Sequence, residues 1–409
     1  MDVKKCGLLG RKLTHSYSPM IHKSFALGYS YKLFEVEPED LSDFLKNGDF
    51  HGLNVTIPYK KDVIPFCTEL SPIAHDIGSV NTLVRLPDGG IKGDNTDGMG
   101  FSAMLSQFEV VGKKIIVLGS GGSSLTVHHV LKHQNAREVI LISRDGENNY
   151  NNIANHSDAQ IIINTTPVGM YPNVGEIPVN LDVFSRVEGV LDLIYNPAKT
   201  QLFMDAEERG IKTLGGLTML VGQAAAASEL FATAYEPINI LSTIQHIRQK
   251  TENIILIGMP GCGKTTIGRI LAEKLGKTFV DADEEIEKVA GRTIPEIFAT
   301  HGEEFFRQQE SAVLQKFGKE SNQVISTGGG CVTRAENFYH LRQNGIVVFL
   351  ERDLQKLDRE GRPLSQGNLQ NMYEIRQPLY KRFAHITIQN NDDPQKIAQA
   401  IACSAGGIS

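Results

Sequence analysis

The chain has 409 residues, of which 41% are hydrophobic and 22% charged, with a formal net charge of −6. That length predicts two or three domains, and a mild negative charge without a basic block excludes a surface built to track nucleic acid or an anionic membrane. Five cysteines (6, 67, 262, 331 and 403) show neither CxxC nor Cys/His spacing, which argues against disulfides and zinc and for a reducing cytoplasm; no apolar run is long enough to span a bilayer.

In chain order, Leu13-Thr-His-Ser-Tyr-Ser-Pro19 comes first. It sets Ser16 and Ser18 at i and i+2, which on an extended backbone aims two hydroxyls the same way, as donors for a small carboxylate. Ser18 also reads as a helix cap, because Pro19, a helical stretch Met20–Leu27 and Gly28 follow it. Asn54-Val-Thr-Ile-Pro-Tyr-Lys60 and Gly93-Asp-Asn-Thr-Asp-Gly98 place a lysine and an aspartate in loop-prone settings, where either alone is most often a solvated charge.

Next, Lys114-Ile-Ile-Val-Leu-Gly-Ser-Gly-Gly-Ser-Ser124 predicts strand, glycine turn and helix start, with the amides of Gly119, Gly121 and Gly122 facing a pyrophosphate. A full GxGxxG is absent. The following strand, Val139–Ile142, ends in Ser143-Arg144, and an arginine there suits a 2′-phosphate, although it is also an ordinary strand-end residue.

Short β-branched runs continue at Ile161–Ile163, Val190–Leu193, Ile254–Ile257, Phe279–Val280, Val324–Ser326 and Val347–Leu350, alternating with helix-like stretches. The pattern predicts two helix-covered parallel sheets, divided between Tyr235-Glu-Pro237 and the polar stretch Gln245–Asn253.

In the second half, Gly258-Met-Pro-Gly-Cys-Gly-Lys-Thr265 fits GxxxxGK[ST] between a strand and the predicted helix Thr266–Leu275. Loop residues Gly258, Gly261, Cys262, Gly263, Lys264, Thr265 and Thr266 are candidate nucleotide ligands, with Lys264 for the β/γ oxygens and Thr265 for Mg²⁺. Cys262 in the loop predicts sensitivity to thiol alkylation. Asp281 and Asp283 end the next strand, and Asp283 reads as either a cap of the helix Glu284–Ala290 or a ligand. Arg307, Arg362 and Arg376 lie in three separate stretches, with guanidinium forks suited to a carboxylate or a moving phosphoryl group. The base-reading NKxD of a switch GTPase is absent.

The ordered series HSYSP, NVTIPYK, GSVNT, GDNTDG, NTTPVGM and GLTMLVGQAA resembles shikimate dehydrogenases across about 4–245. The P-loop with DAD, GEEFFRQQE, TGGG, GRPL and RQPLY resembles shikimate kinase across about 253–390. The first resemblance implies Ser16 and Ser18 on the substrate carboxylate, with Asn54, Thr56, Asn81, Tyr195 and Gln223 around the ring, and Lys60 and Asp97 as the catalytic pair. It also implies Gly119, Ser120, Gly121, Gly122, Ser123, Arg144 and Gly216 at NADP. The second implies Asp283 at the substrate hydroxyls and as base, Arg307 and Arg376 on the carboxylate, and Gly328, Gly329 and Gly330 along the ring. Lys264 and Arg362 then serve the phosphates, the latter from a lid, while Thr265 and Asp281 hold Mg²⁺; Arg359 is the candidate for packing on adenine.

The expected fold class is therefore α/β: a two-lobed dehydrogenase over 1–248 (substrate lobe 1–103 plus 217–246, Rossmann-like NADP lobe 104–216) and a P-loop kinase with a parallel sheet over 252–409. The expected function is NADPH-dependent reduction of 3-dehydroshikimate, then MgATP-dependent phosphorylation of shikimate. Competing readings are a quinate/shikimate dehydrogenase using NAD, a kinase with a non-catalytic N-terminal module, and an ATP-driven switch protein. The sequence leaves a homo-oligomer open.

Overall fold

A computed structural model describes residues 3–13, 16–232, 237–357 and 369–408. The described chain divides into two compact units: 1–168, 177–195 and 205–247 form the first, and 169–176, 196–204 and 248–409 the second. Nothing in the residue pattern marks the two short segments that join the second unit. Among the described residues no helix is long and apolar enough to cross a membrane.

The first unit has two sheets. Strands β1 (Lys5–Gly10), β2 (Ser30–Glu35), β3 (Gly52–Val55), β4 (Glu69–Leu70), β5 (Thr82–Arg85) and β6 (Ile91–Asp94) form a mixed sheet in the order β2-β1-β3-β5-β6-β4. Strands β7 (Lys114–Leu118), β8 (Glu138–Ile142), β9 (Ile161–Asn164), β10 (Gly189–Asp192) and β11 (Lys212–Gly215) form a parallel sheet in the order β11-β10-β9-β7-β8. Counted from β7 this is the doubly wound order 2-1-3-4-5, with its switch point between β7 and β9, where ligands enter at the carboxyl ends of the strands. Its central strands β7, β9 and β10 are buried at every position, as helices on both faces require.

Helices α1 (Ser18–Phe25), α2 (Asp97–Leu105), α3 (Gly122–Leu131) and α4 (Leu217–Phe231) position the site residues. The α2–α4 pair can pack backbone to backbone because glycines occupy the crossing. A Cβ on Gly100 would lie 2.4 Å from the Met219 carbonyl oxygen. This close crossing sets Asp97, at the start of α2, and Gln223, within α4, on one part of the unit. Ser18 is the first residue of α1, and Tyr17 holds the N-cap position without a side-chain cap bond. The expected Ser18 cap is therefore incorrect, and the extended i, i+2 geometry that would aim Ser16 and Ser18 alike is replaced by a turn into a helix.

The second unit carries one parallel sheet: β12 (Asn253–Ile257), β13 (Thr278–Asp281), β14 (Gln323–Ser326), β15 (Gly345–Glu351) and β16 (Ile386–Gln389), in the order β13-β14-β12-β15-β16. Helices α5 (Lys264–Leu275), α6 (Ala282–Ala290), α7 (Ile294–Gly318) and α8 (Leu369–Phe383) carry its charged candidates. Asp281, not Asp283, caps α6, accepting the Asp283 amide at 3.1 Å. The Asp283 carboxylate is therefore not spent on the helix end.

Candidate active sites

In the first unit, Lys60 lies shortly after β3, and Asp97 opens α2 shortly after β6. The Lys60 ammonium lies 2.5 Å from Asp97 Oδ2, with the lysine side chain 21% and the aspartate 4% exposed. Asp97 opens α2, where the helix dipole favours an anion. Asn81 is fixed on both sides: its Oδ1 accepts the Thr96 amide at 2.7 Å and the Thr82 hydroxyl at 3.0 Å, and its Nδ2 donates to Gln223 Oε1 at 3.1 Å. Thus Lys60 and Asp97 meet, and Asn81 and Gln223 meet, across long stretches of chain.

Asn54 belongs to a second network. Its Oδ1 accepts the Tyr31 hydroxyl at 2.8 Å, and its Nδ2 donates to Thr82 Oγ1 at 3.3 Å. Buried His22 stacks on Tyr31 with ring centroids 3.8 Å apart and contacts the Tyr29 hydroxyl through Nδ1 at 2.7 Å. Burial drives the His22 imidazole down to about 3, so it is neutral at pH 7. Ser16 Oγ accepts the Ser18 amide at 3.2 Å. Tyr195 packs on Tyr17 at 5.1 Å, Gly216 precedes α4, and Thr56 donates its amide to the Leu9 carbonyl at 2.9 Å.

At the switch point, Gly119 follows β7 with φ 103°, and a Cβ there would meet Thr165 Oγ1 at 2.9 Å and Thr166 Cγ2 at 2.9 Å. Only glycine combines that φ with that approach. Ser120, Gly121 and Gly122 are exposed and Ser123 half-exposed, leaving the first-turn amides of α3 open to an anion. Arg144 is exposed just beyond β8.

In the second unit, one cavity of ≈ 430 Å³ is lined by the P-loop, Asp283, Gly328, Gly329, Gly330, Arg307, Glu310, Arg352 and Arg376. Lys264 Nζ donates to the carbonyls of Gly258 (3.0 Å) and Met259 (3.1 Å). Thr265 Oγ1 donates to Asp281 Oδ2 at 2.7 Å, a hydroxyl–carboxylate pair of hard oxygen donors. Gly261 lies in the buried loop and Thr266 at the exposed first turn of α5. Cys262 is fully buried and its side chain packs in the core of the unit, which shields the thiol and works against the alkylation sensitivity expected of a loop cysteine.

Arg307 Nη1 donates to Glu310 Oε2 at 2.7 Å and its Nη2 to Glu303 Oε1 at 3.1 Å. Glu310 is wholly buried and its Oε1 has no hydrogen-bond partner. Arg376 Nη1 donates to the Gly329 carbonyl at 3.2 Å. Burial, then the neighbouring Glu310 and Asp281 charges, push the Asp283 carboxyl up to about 6, against the opposing pull of Lys264 and Arg307. Arg362 and Arg359 lie outside the described residues.

Several side chains at these sites escape sequence reasoning: His22, Tyr31, Thr82 and Thr96 in the first unit, and Phe298, Phe306, Glu310 and Arg352 in the second. Glu310 had a readable signal, three residues after Arg307 on a helix. The others are joined only by the fold.

The fold and sites define an α/β enzyme that couples a dinucleotide-type doubly wound lobe to a P-loop phosphotransferase unit. The family model for the shikimate dehydrogenase substrate binding domain matches residues 8–83, and that for shikimate kinase matches 260–404. A shikimate dehydrogenase (NADP(+)) of Clostridium beijerinckii is 39% identical over 246 residues, covering 55% of this chain and 90% of that protein. The crystal structure of a chorismate mutase/shikimate 5-dehydrogenase fusion protein from Clostridium acetobutylicum is 38% identical, with TM-score 0.57, over 61% of this chain and 99% of that one. The shikimate 5-dehydrogenase of Thermus thermophilus, solved with NADP(H) and shikimate, is 27% identical with TM-score 0.55, over 60% and 99% of the two chains. The chain belongs to the shikimate dehydrogenase family, and its C-terminal region is a shikimate kinase domain.

Proposed function

We propose that the chain performs two consecutive reactions on one carboxylated, hydroxylated ring: reduction of 3-dehydroshikimate to shikimate, and phosphorylation of that shikimate to shikimate 3-phosphate. Bound NADPH supplies the hydride and MgATP the phosphoryl group. In the first site Lys60 delivers a proton to the oxygen of the reduced ketone, and Asp97 holds the ammonium and accepts from a ring hydroxyl. Asn54, Thr56, Asn81, Tyr195 and Gln223 orient the ring, and Ser16 and Ser18 hold its carboxylate. Gly119 to Ser123, Gly216 and Arg144 serve the dinucleotide, and Arg144 favours the 2′-phosphate of NADP over NAD.

In the second site Asp283 takes the proton of the attacking hydroxyl, and Arg307 and Arg376 fix the carboxylate. The Thr265–Asp281 pair supplies the hard oxygen donors that would hold Mg²⁺, which would neutralise charge on the phosphates. The observation that carries the proposal is the cavity itself: one space joins the P-loop lysine, a carboxyl poised near 6 and three guanidinium groups.

The test supplies 3-dehydroshikimate, NADPH and MgATP and follows products by mass, with quinate and NAD in parallel. Lys60→Ala is expected to abolish shikimate formation while added shikimate is still phosphorylated, and Lys264→Ala to do the reverse. Nucleotide turnover indifferent to shikimate, or loss of both activities in either variant, would overturn the proposal.

A further inference from the structure

Three arginines line the cavity of the second unit, and two of them are matched: Arg307 by Glu310 and Glu303, and Arg376 by the Gly329 carbonyl. The third, Arg352, is different. Its Nε is buried without a hydrogen-bond partner, and among the described residues no carboxylate pairs with it. Leaving part of a guanidinium dry and unmatched is costly unless an anion arrives to complete it.

The position of Arg352 identifies the anion. It follows β15 directly, and the end of that strand abuts the P-loop: a Cβ on Gly258 would lie 2.6 Å from the Leu350 carbonyl oxygen. Arg352 Nη1 stands 3.5 Å from where a Cβ on Gly263 would be. Gly263, at φ 92°, is the N-cap of α5, so the guanidinium sits beside the helix end whose free amides attract negative charge. Asn390 fixes the same loop from the neighbouring strand end by donating to the Cys262 carbonyl. Lys264, meanwhile, is bonded to two loop carbonyls.

We infer that Arg352 binds the phosphate chain of the nucleotide, as a second cation set against the P-loop and distinct from the arginines that face the carboxylated substrate. A fork of N–H donors suits a polyphosphate, which offers several oxygens at its spacing. The inference rests on the reading of this cavity as a nucleotide site.

Calorimetric titration of the full chain tests it, with ADP, inorganic tripolyphosphate and adenosine as probes. Arg352→Gln is expected to weaken ADP and tripolyphosphate by about ten- to a hundredfold, the range for a hydrogen bond to a charged group. Arg352→Lys should lose less, and adenosine affinity, measured by competition, should be unchanged. Shikimate binding and the dehydrogenase reaction serve as controls for folding. ADP affinity unaltered by Arg352→Gln overturns the inference, as does an equal loss for adenosine, which would place the guanidinium on the base. If the unsubstituted chain binds neither ADP nor tripolyphosphate, the nucleotide reading itself fails and takes this inference with it.

Discussion

Lys60 and Asp97, 37 residues apart, are brought to 2.5 Å by the turn after β3 and the first residue of α2. The contact gives the lysine a fixed direction and leaves it about one-fifth exposed toward the site. Removing the proposed proton donor by Lys60→Ala is expected to lower kcat for 3-dehydroshikimate reduction by about 10²–10⁴-fold. Dinucleotide affinity should be unchanged, as checked by fluorescence titration. A variant that still reduces the ketone within tenfold of the parent rate removes Lys60 from the chemistry.

The Asp283 carboxyl is raised to about 6. With Asp283 as the proposed base, which must be ionised to act, kcat/KM for shikimate phosphorylation is expected to rise roughly tenfold per pH unit below about 6 and to level off above it. Glu310→Gln removes one of the negative neighbours that raise Asp283 and should move the inflection to lower pH. A profile with its inflection near the ordinary carboxylate value, or one that Glu310→Gln leaves in place, contradicts the assignment.

Gly328 is crowded by the two carboxylates it separates. A Cβ there would lie 2.4 Å from Glu310 Oε1 and 3.0 Å from Asp283 Oδ1. Gly328→Ala is therefore expected to depress shikimate phosphorylation by at least tenfold, since displacing a catalytic group by about 1 Å costs up to about 10²-fold. The dehydrogenase rate should be untouched. Equal kinase activity in Gly328→Ala would show that neither carboxylate needs its present place.

His22 links pH to the stability of the first unit. Its folded value of about 3 lies below the ordinary 6.5, so the unfolded chain binds the proton more readily. The stabilisation is fully present above 6.5 and is lost as pH falls toward 3, by about 1.4 kcal/mol per pH unit. Residual dehydrogenase activity after a heat challenge should drop between pH 7 and pH 5, and His22→Asn should flatten that drop while lowering stability at pH 7. An unflattened drop in His22→Asn assigns the acid sensitivity elsewhere.

The alternation of apolar runs with helical stretches was readable along the chain, because strands buried on both faces must be almost wholly apolar. The P-loop was readable because its glycines, lysine and hydroxyl are local requirements of one turn. Caps were less secure. Ser18 and Asp283 have the composition of N-caps, yet the helices begin earlier than their side chains allow, and Asp281 takes the cap that Asp283 was expected to fill.

The sequence by itself determined the elements and the two glycine-rich loops that follow β7 and β12, since each depends on neighbours within a few residues. Only the tertiary structure decided which of them meet. The His22–Tyr31–Asn54 network, the burial of Glu310 and the solitary Arg352 beside Gly263 arise from strands and helices far apart in the chain. Burial and charge pairing are properties of what surrounds a group in space, and that is why they set the Asp283 carboxyl near 6 while leaving no trace in local spacing.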